Sequence, residues 1–238
     1  MSIAENLEAI KGRIAQACMR CGRKREEITL MGVTKFQPVK AVDEAWKAGL
    51  RCFGESRVQE AAAKFENFRE EHPDTELHLI GALQRNKAKL AASLFDCVDC
   101  LDRESLAAEL AKHTAARNNG SQREPLPVLL EFRTGEDSKS GFTSLDDLFK
   151  TVEFILACPS LSIRGLMTIA PNTREDTVVR SAFRRLAEVR QELERRFPAA
   201  SRHSWSCLSM GMSGDFETAI EEGSTLVRVG TAIFGERI

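Results

Sequence analysis

Lys35 closes an apolar, β-favouring run, "ITLMGVTK" (Ile28–Lys35), and Pro38 follows three residues later. A lysine at a strand end ordinarily points its ammonium into water, because burying that charge without a partner is costly. Two other segments weigh against the ordinary reading here. "GMSGD" (Gly211–Asp215) sets glycines and a serine ahead of a helix pattern, and "RVGTA" (Arg228–Ala232) puts Gly230 and Thr231 just past an apolar run. Backbone N–H groups and hydroxyls in such turns hold a phosphate dianion, and glycine lets it approach closely. Taken singly, these glycines serve tight turns. Taken with Lys35, they set an amine against a phosphate, which suits a Schiff base with a phosphorylated carbonyl compound. The attacking amine must be neutral. Desolvation and neighbouring cations, for which Arg228 and Lys139 are candidates, lower its pKa.

Such residues cooperate only if the fold brings them to one face. The strand candidates are "ITLMGVT", "RCFGE", "LHLIG", "FDCVDCL", "VLLEFRT", "IRGLMTIA", "CLSM" and "LVRVG". Between them run helix patterns starting near Pro38, Ser56, Gln84, Arg103, Ser144, Thr173 and Ser213. Ser144 with Asp147, and Thr173 with Asp176, have capping spacing, and Pro38 suits a first helical turn. An amphipathic helix marked by Ile3, Leu7, Ile10 and Ile14 precedes them and ends near Gly22.

Strands alternating with helices imply parallel pairing through right-handed crossovers. Eight such units close into a (β/α)8 TIM barrel, read here as α/β, a single domain over 1–238, with the extra N-terminal helix completing the outer ring. The rival is an open doubly wound sheet, but no Gly-x-Gly-x-x-Gly follows the first strand. In a barrel, function gathers at the C-terminal strand ends. Those ends carry Lys35, Gly54-Glu55-Ser56, Gly81, "TGEDSKSGF" with Lys139, "GLMTIAP" from Met167, "SMGMSGD" from Ser209 and "VRVGTAIFG". The ligand is then a sugar phosphate, as in a Schiff-base aldolase, or pyridoxal 5′-phosphate.

Composition narrows the setting. The 238 residues carry a formal net charge of −1, so no global basic field draws in nucleic acid or anionic membrane. No apolar stretch reaches the about 20 residues of a membrane span, and the first residues lack a secretory pattern. A cytoplasmic protein is expected. The seven cysteines are odd in number and are read as free, buried small hydrophobes. Cys18/Cys21 and Cys97/Cys100 lie too far apart for a compact zinc ribbon, so no metal site is expected. The helices show no long outward apolar stripe, which suggests a monomer.

The chain resembles the pyridoxal phosphate homeostasis proteins, relatives of the N-terminal barrel of alanine racemase. The likeness covers nearly the whole chain. It rests on "GVTKFQP", "FGESRVQE", "LHLIGALQRNK", "TGEDSKSGF", "GLMTIAP" and "LSMGMSGDFETAIEEGSTLVRVGTAIFGER". It implies a fold-type III pyridoxal-phosphate barrel whose Lys35 forms the Schiff base. By the same resemblance, Ser209, Ser213, Gly230 and Thr231 hold the phosphate and Arg228 faces the pyridine nitrogen. Lys139 lies near the phenolic edge, with Ser56 and Met167 also beside the cofactor. A guanidinium accepts no proton, so it leaves that nitrogen unprotonated and the ring a weaker electron sink.

Two positions depart from the family pattern: Ser56 replaces an asparagine and Arg57 a tyrosine. A third, Leu77, replaces a tryptophan before His78, which is read as a satisfied core histidine. Alanine racemases add a tyrosine base from a second domain. This sequence has no tyrosine, ends at "GERI", and carries Ile169 where the racemase relatives have histidine. The resemblance therefore implies a cofactor carrier or buffer in vitamin B6 balance, with apo-enzymes as possible recipients. The alternative is an amino-acid racemase or lyase of low activity.

Overall fold

The computed structural model describes residues 2–118, 124–135, 140–199 and 202–235. Eight parallel strands close in chain order into a barrel, β1 pairing with both β2 and β8. They are β1 (Thr29–Val33), β2 (Cys52–Glu55), β3 (Glu76–Leu79), β4 (Cys97–Leu101), β5 (Leu126–Glu131), β6 (Leu161–Met167), β7 (Cys207–Ser209) and β8 (Leu226–Val229). Alternation along each strand sorts the side chains. Met31, Cys52 and Leu226 pack together inside, with Ile80 and Cys207 against them. Their neighbours Leu30, Phe53, Leu77, Val98 and Val227 belong to the separate cluster formed with the helices.

The helices form the outer layer: α1 (Ile3–Arg20), α2 (Val39–Lys47), α3 (Val58–Glu71), α4 (Ala88–Leu94), α5 (Glu104–Asn118), α6 (Leu145–Ala157), α7 (Asp176–Arg196), α8 (Phe216–Glu221) and α9 (Thr231–Phe234). Helix α1 buries Leu7, Ile10 and Ile14 and packs against α8, α9 and α2, filling the ring where α9 has only four residues. Among the described residues, no helix is long and apolar enough to cross a membrane.

Several boundaries differ from the sequence expectation. Ser144 caps α6, its Oγ accepting from the N–H groups of Asp146 and Asp147. Thr173 instead accepts from Glu175 N–H, and α7 starts at Asp176, three residues late. A local side-chain turn competes there with the cap. Pro38 sits one residue ahead of α2. Helix α9, at four residues, is too short to leave a readable period in the sequence.

Strand β6 contains an irregularity. Val128 pairs with Ile163 but Leu129 with Gly165, so Arg164 is an extra, exposed residue in an otherwise buried strand. A Cβ at Gly165 (φ +149°) would lie 1.9 Å from the Cys207 carbonyl oxygen, so this close approach to β7 requires glycine.

Candidate cofactor site at the barrel mouth

The β1 end of the mouth is fixed from outside the barrel. Thr34 continues the ladder, donating its N–H to Gly54 O at 3.1 Å. Its side chain is buried and Oγ1 donates to Glu55 Oε1 at 2.7 Å. Lys64 of α3, itself buried, donates to that same carboxylate oxygen at 2.6 Å and to the Thr34 carbonyl at 2.7 Å. Glu60, one turn earlier, accepts the Phe36 N–H at 2.5 Å. Hydrogen bonds thus grip the backbone on both sides of Lys35, which is half-buried. Phe36 occupies the left-handed region at φ +64°, a strained setting for a side-chain-bearing residue. The Arg57 guanidinium lies 5.3 Å from the Phe36 ring centroid, so this departure from the family pattern contributes a cation–π contact at the rim.

Burial pushes the Glu55 carboxyl up, while the Lys64 ammonium and the Thr34 hydroxyl pull it down. Among the described residues, its Oε2 has no hydrogen-bond partner. Lys64 escaped the sequence reading, although a signal existed. It falls on the stripe of Val58, Ala61, Phe65 and Phe68, the one charge on the buried face of α3.

The β7–β8 end is held differently. Arg228 is 4% exposed and points inside the barrel wall, donating through Nη1 to Ser209 Oγ at 2.8 Å and through Nη2 to the Thr168 carbonyl at 2.8 Å. Burial pushes its pKa down, and Asp99, Asp215 and Glu131 oppose that. Ser209 is fully buried with its hydroxyl engaged by Arg228, and its register partner Met167 is 1% exposed. Ser213 is half-buried, and its Oγ accepts from Gly230 N–H at 3.3 Å and Ala232 N–H at 3.4 Å. Thr231 is exposed at the start of α9.

The two ends meet at Gly230. A Cβ there would lie 3.4 Å from both Val33 Cβ and Val33 O, two residues before Lys35. The Ser213 loop is tied to β8 by Arg228 N–H donating to Gly211 O at 2.9 Å. Gly211 (φ +96°) has no space for a side chain, since a Cβ would come within 2.6 Å of Ala219. Ser56 is half-buried after β2, with its backbone so close to Gly81 that a Cβ on Gly81 would be 2.4 Å from Ser56 O. Lys139 lies outside the described residues.

Behind the Ser213 loop, α8 is moored by a network of partly exposed ion pairs. Arg13 and Arg20 of α1 reach Glu217 at 2.7 and 2.9 Å, and Arg20 reaches Glu221 at 2.8 Å. From α7, Arg180 reaches Glu221 at 2.7 Å and Arg184 reaches Glu222 at 2.8 Å.

The family model for the alanine racemase N-terminal domain matches residues 5–238. A pyridoxal phosphate homeostasis protein of Vibrio cholerae is 44% identical over 239 residues, covering 99% of this chain and 97% of that protein. The chain belongs to the pyridoxal phosphate homeostasis protein family. Its relative of the same name in Aquifex aeolicus is 40% identical over 237 residues, with 100% of this chain and 99% of that one covered. Among solved structures, PipY of Synechococcus elongatus with pyridoxal phosphate bound superposes with a TM-score of 0.83 at 31% identity. That match covers 98% of this chain and 100% of PipY. Alanine racemase of Bacillus anthracis shares the fold alone, at a TM-score of 0.70 and 16% identity over 97% of this chain and 56% of the racemase.

Proposed function

We propose that this family member binds pyridoxal 5′-phosphate covalently at Lys35 as a Schiff base. It then serves in the cytoplasm as a carrier or buffer of the cofactor rather than as a catalyst. The observation carrying this reading is the junction at Gly230, where the strand leading to Lys35 abuts a turn rich in N–H and hydroxyl donors. The donor set fits the group. The N–H groups of Gly230 and Ala232 and the Ser213 hydroxyl suit a phosphate dianion, and Arg228 adds buried positive charge near them.

When bound, the cofactor supplies an aldehyde that condenses with an amine, and a ring that withdraws electrons from it. The chain's own residues set the limits of that chemistry. Lys64 and Glu60 fix the backbone around Lys35, so the amine need not be ordered at each encounter. Arg228, fastened by Ser209 and Thr168, offers only donors and cannot protonate a ring nitrogen. The sequence contains no tyrosine for a second base, and Ile169, 36% exposed on the rim, transfers no proton. These features favour holding the cofactor over processing an amino acid.

The deciding experiment is the absorption spectrum of protein incubated with pyridoxal phosphate, with borohydride trapping and Lys35→Ala as control. A yellow species trapped on Lys35 and missing from the variant supports the reading; a colourless wild type overturns it. Exchange of α-protons in any amino acid across a broad panel would overturn the carrier role and favour a racemase or lyase.

A further inference from the structure

At the opposite end of the barrel from Lys35, the strands begin on a second polar group. Cys52 opens β2 and Glu76 opens β3, and the two are register partners. His78, two residues along β3, falls on the same face as Glu76. Its Nδ1 is 2.8 Å from Asp99 Oδ1 and its Nε2 is 3.1 Å from Glu76 Oε1. The Cys52 sulfur, a Glu76 carboxylate oxygen and a His78 ring nitrogen all lie within 4.8 Å of one another.

Hydrogen bonds to Asp99 and Glu76 satisfy both imidazole nitrogens, as the sequence reading anticipated, but they do not explain why the Cys52 thiol converges on the same point. Sulfur, nitrogen and oxygen donors at this spacing suit a tetrahedral divalent ion, whose bonds are about 2.0–2.3 Å long. Asp99 completes the pattern. It is fully buried and engages Nδ1, and so aims Nε2 at Glu76 and Cys52; once Nε2 gives up its proton, its lone pair faces the site as that of a metal-bound histidine backed by a carboxylate does. Its Oδ2 is buried and has no hydrogen-bond partner among the described residues, so Asp99 directs its polar contact to His78. The Glu76 side chain is 56% exposed, which gives an ion a route in and leaves a fourth position to water. A second triad of His78, Cys97 and Asp99 is equally tight but buried throughout, and Asp99 already engages the nitrogen nearest it.

We propose that Cys52, Glu76 and His78 form a binding site for a zinc-type divalent cation at the floor of the barrel, with Asp99 orienting His78. Metal–sulfur, metal–oxygen and metal–nitrogen bonds form, the Cys52 thiol proton and any proton on Nε2 leave to solvent, and nothing is oxidised or reduced. The site is independent of the cofactor reading at the mouth.

The test is titration of the full, cofactor-free chain with Co²⁺ alone while its thiols are kept reduced. The expected result is one equivalent bound with a thiolate-to-cobalt band in the near ultraviolet, displaced by Zn²⁺. That band should be lost in Cys52→Ser, kept in the Cys18→Ser/Cys21→Ser double variant, and moved to about 10–100-fold higher Co²⁺ in Asp99→Asn. Absence of the band in the wild type, its survival in Cys52→Ser, or its loss in the Cys18/Cys21 variant overturns the proposal. Should the buried substitutions fail to fold, Glu76→Gln at the half-exposed ligand decides. Binding at least tenfold weaker with unchanged circular dichroism supports the site, and unchanged binding overturns it.

Discussion

The two arcs of the barrel mouth reach the same end by opposite means. At β1–β2 a buried ion pair, Lys64 with Glu55, grips the chain beside Lys35 from behind the barrel wall. At β7–β8 the supporting charges are partly exposed arginine–glutamate pairs that moor α8, while the loop itself is held by hydrogen bonds from backbone N–H groups. A buried pair tolerates no half-measures, since removing one partner strands a charge away from water. An exposed network is redundant, and each pair in it contributes little.

The sharpest way to break that contrast is Lys64→Met. With the Glu55 carboxylate left buried and unpaired, the variant should lose about 3–5 kcal/mol of unfolding free energy in a denaturant titration. Adding Glu55→Gln should restore part of the loss; a double variant as unstable as the single one would show that the pair is not what matters. Ser209→Ala comes next. It removes the hydroxyl that accepts from Nη1 of the buried Arg228 guanidinium and should cost about 1–3 kcal/mol by the same measurement.

Ser213→Ala separates binding from folding. Its hydroxyl receives two long hydrogen bonds from N–H groups, so stability should move by less than about 0.5 kcal/mol. Pyridoxal phosphate should nevertheless dissociate about tenfold more readily, as followed by equilibrium dialysis, because a donor to a charged group contributes about 1.5–3 kcal/mol.

The smallest effect belongs to the exposed network and depends on pH. Hydrogen bonds from Arg20 and Arg180 hold the Glu221 carboxyl below its ordinary value of 4.5. Its contribution is therefore present above that ordinary value and is lost as pH falls through the lower folded one. Melting temperature should drop on acidification below about pH 4.5, and Glu221→Gln should flatten that slope while leaving the Lys64–Glu55 end unaffected.

Much of the fold was legible because the strand runs and helix stripes have different periods, and the rim positions follow from strand ends. Lys35, Ser213, Arg228 and Gly230 could be put on one rim without coordinates. What pattern reading could not resolve was pairing. The Ser209 hydroxyl accepts from Arg228, a contact between two strand positions that only the barrel register brings together. Lys64 takes its importance from Glu55, a partner on another element that helix periodicity does not show. His78 was placed in the core, but not among the side chains of two neighbouring strands that converge on it. Local periodicity says which face a residue occupies; it says nothing about what occupies the facing strand.

The extra residue at Arg164 has a consequence for the mouth. Side chains on a strand alternate strictly, so one additional residue exchanges inward and outward for everything after it. The stretch from Leu166 to Thr168, including the carbonyl that fastens Arg228, is in phase with the mouth only because β6 is one residue longer than its partner requires. Deleting Arg164 would turn that stretch inside out while changing no residue of the site, and anyone transplanting these loops onto a regular eight-stranded scaffold would have to bring the odd residue along.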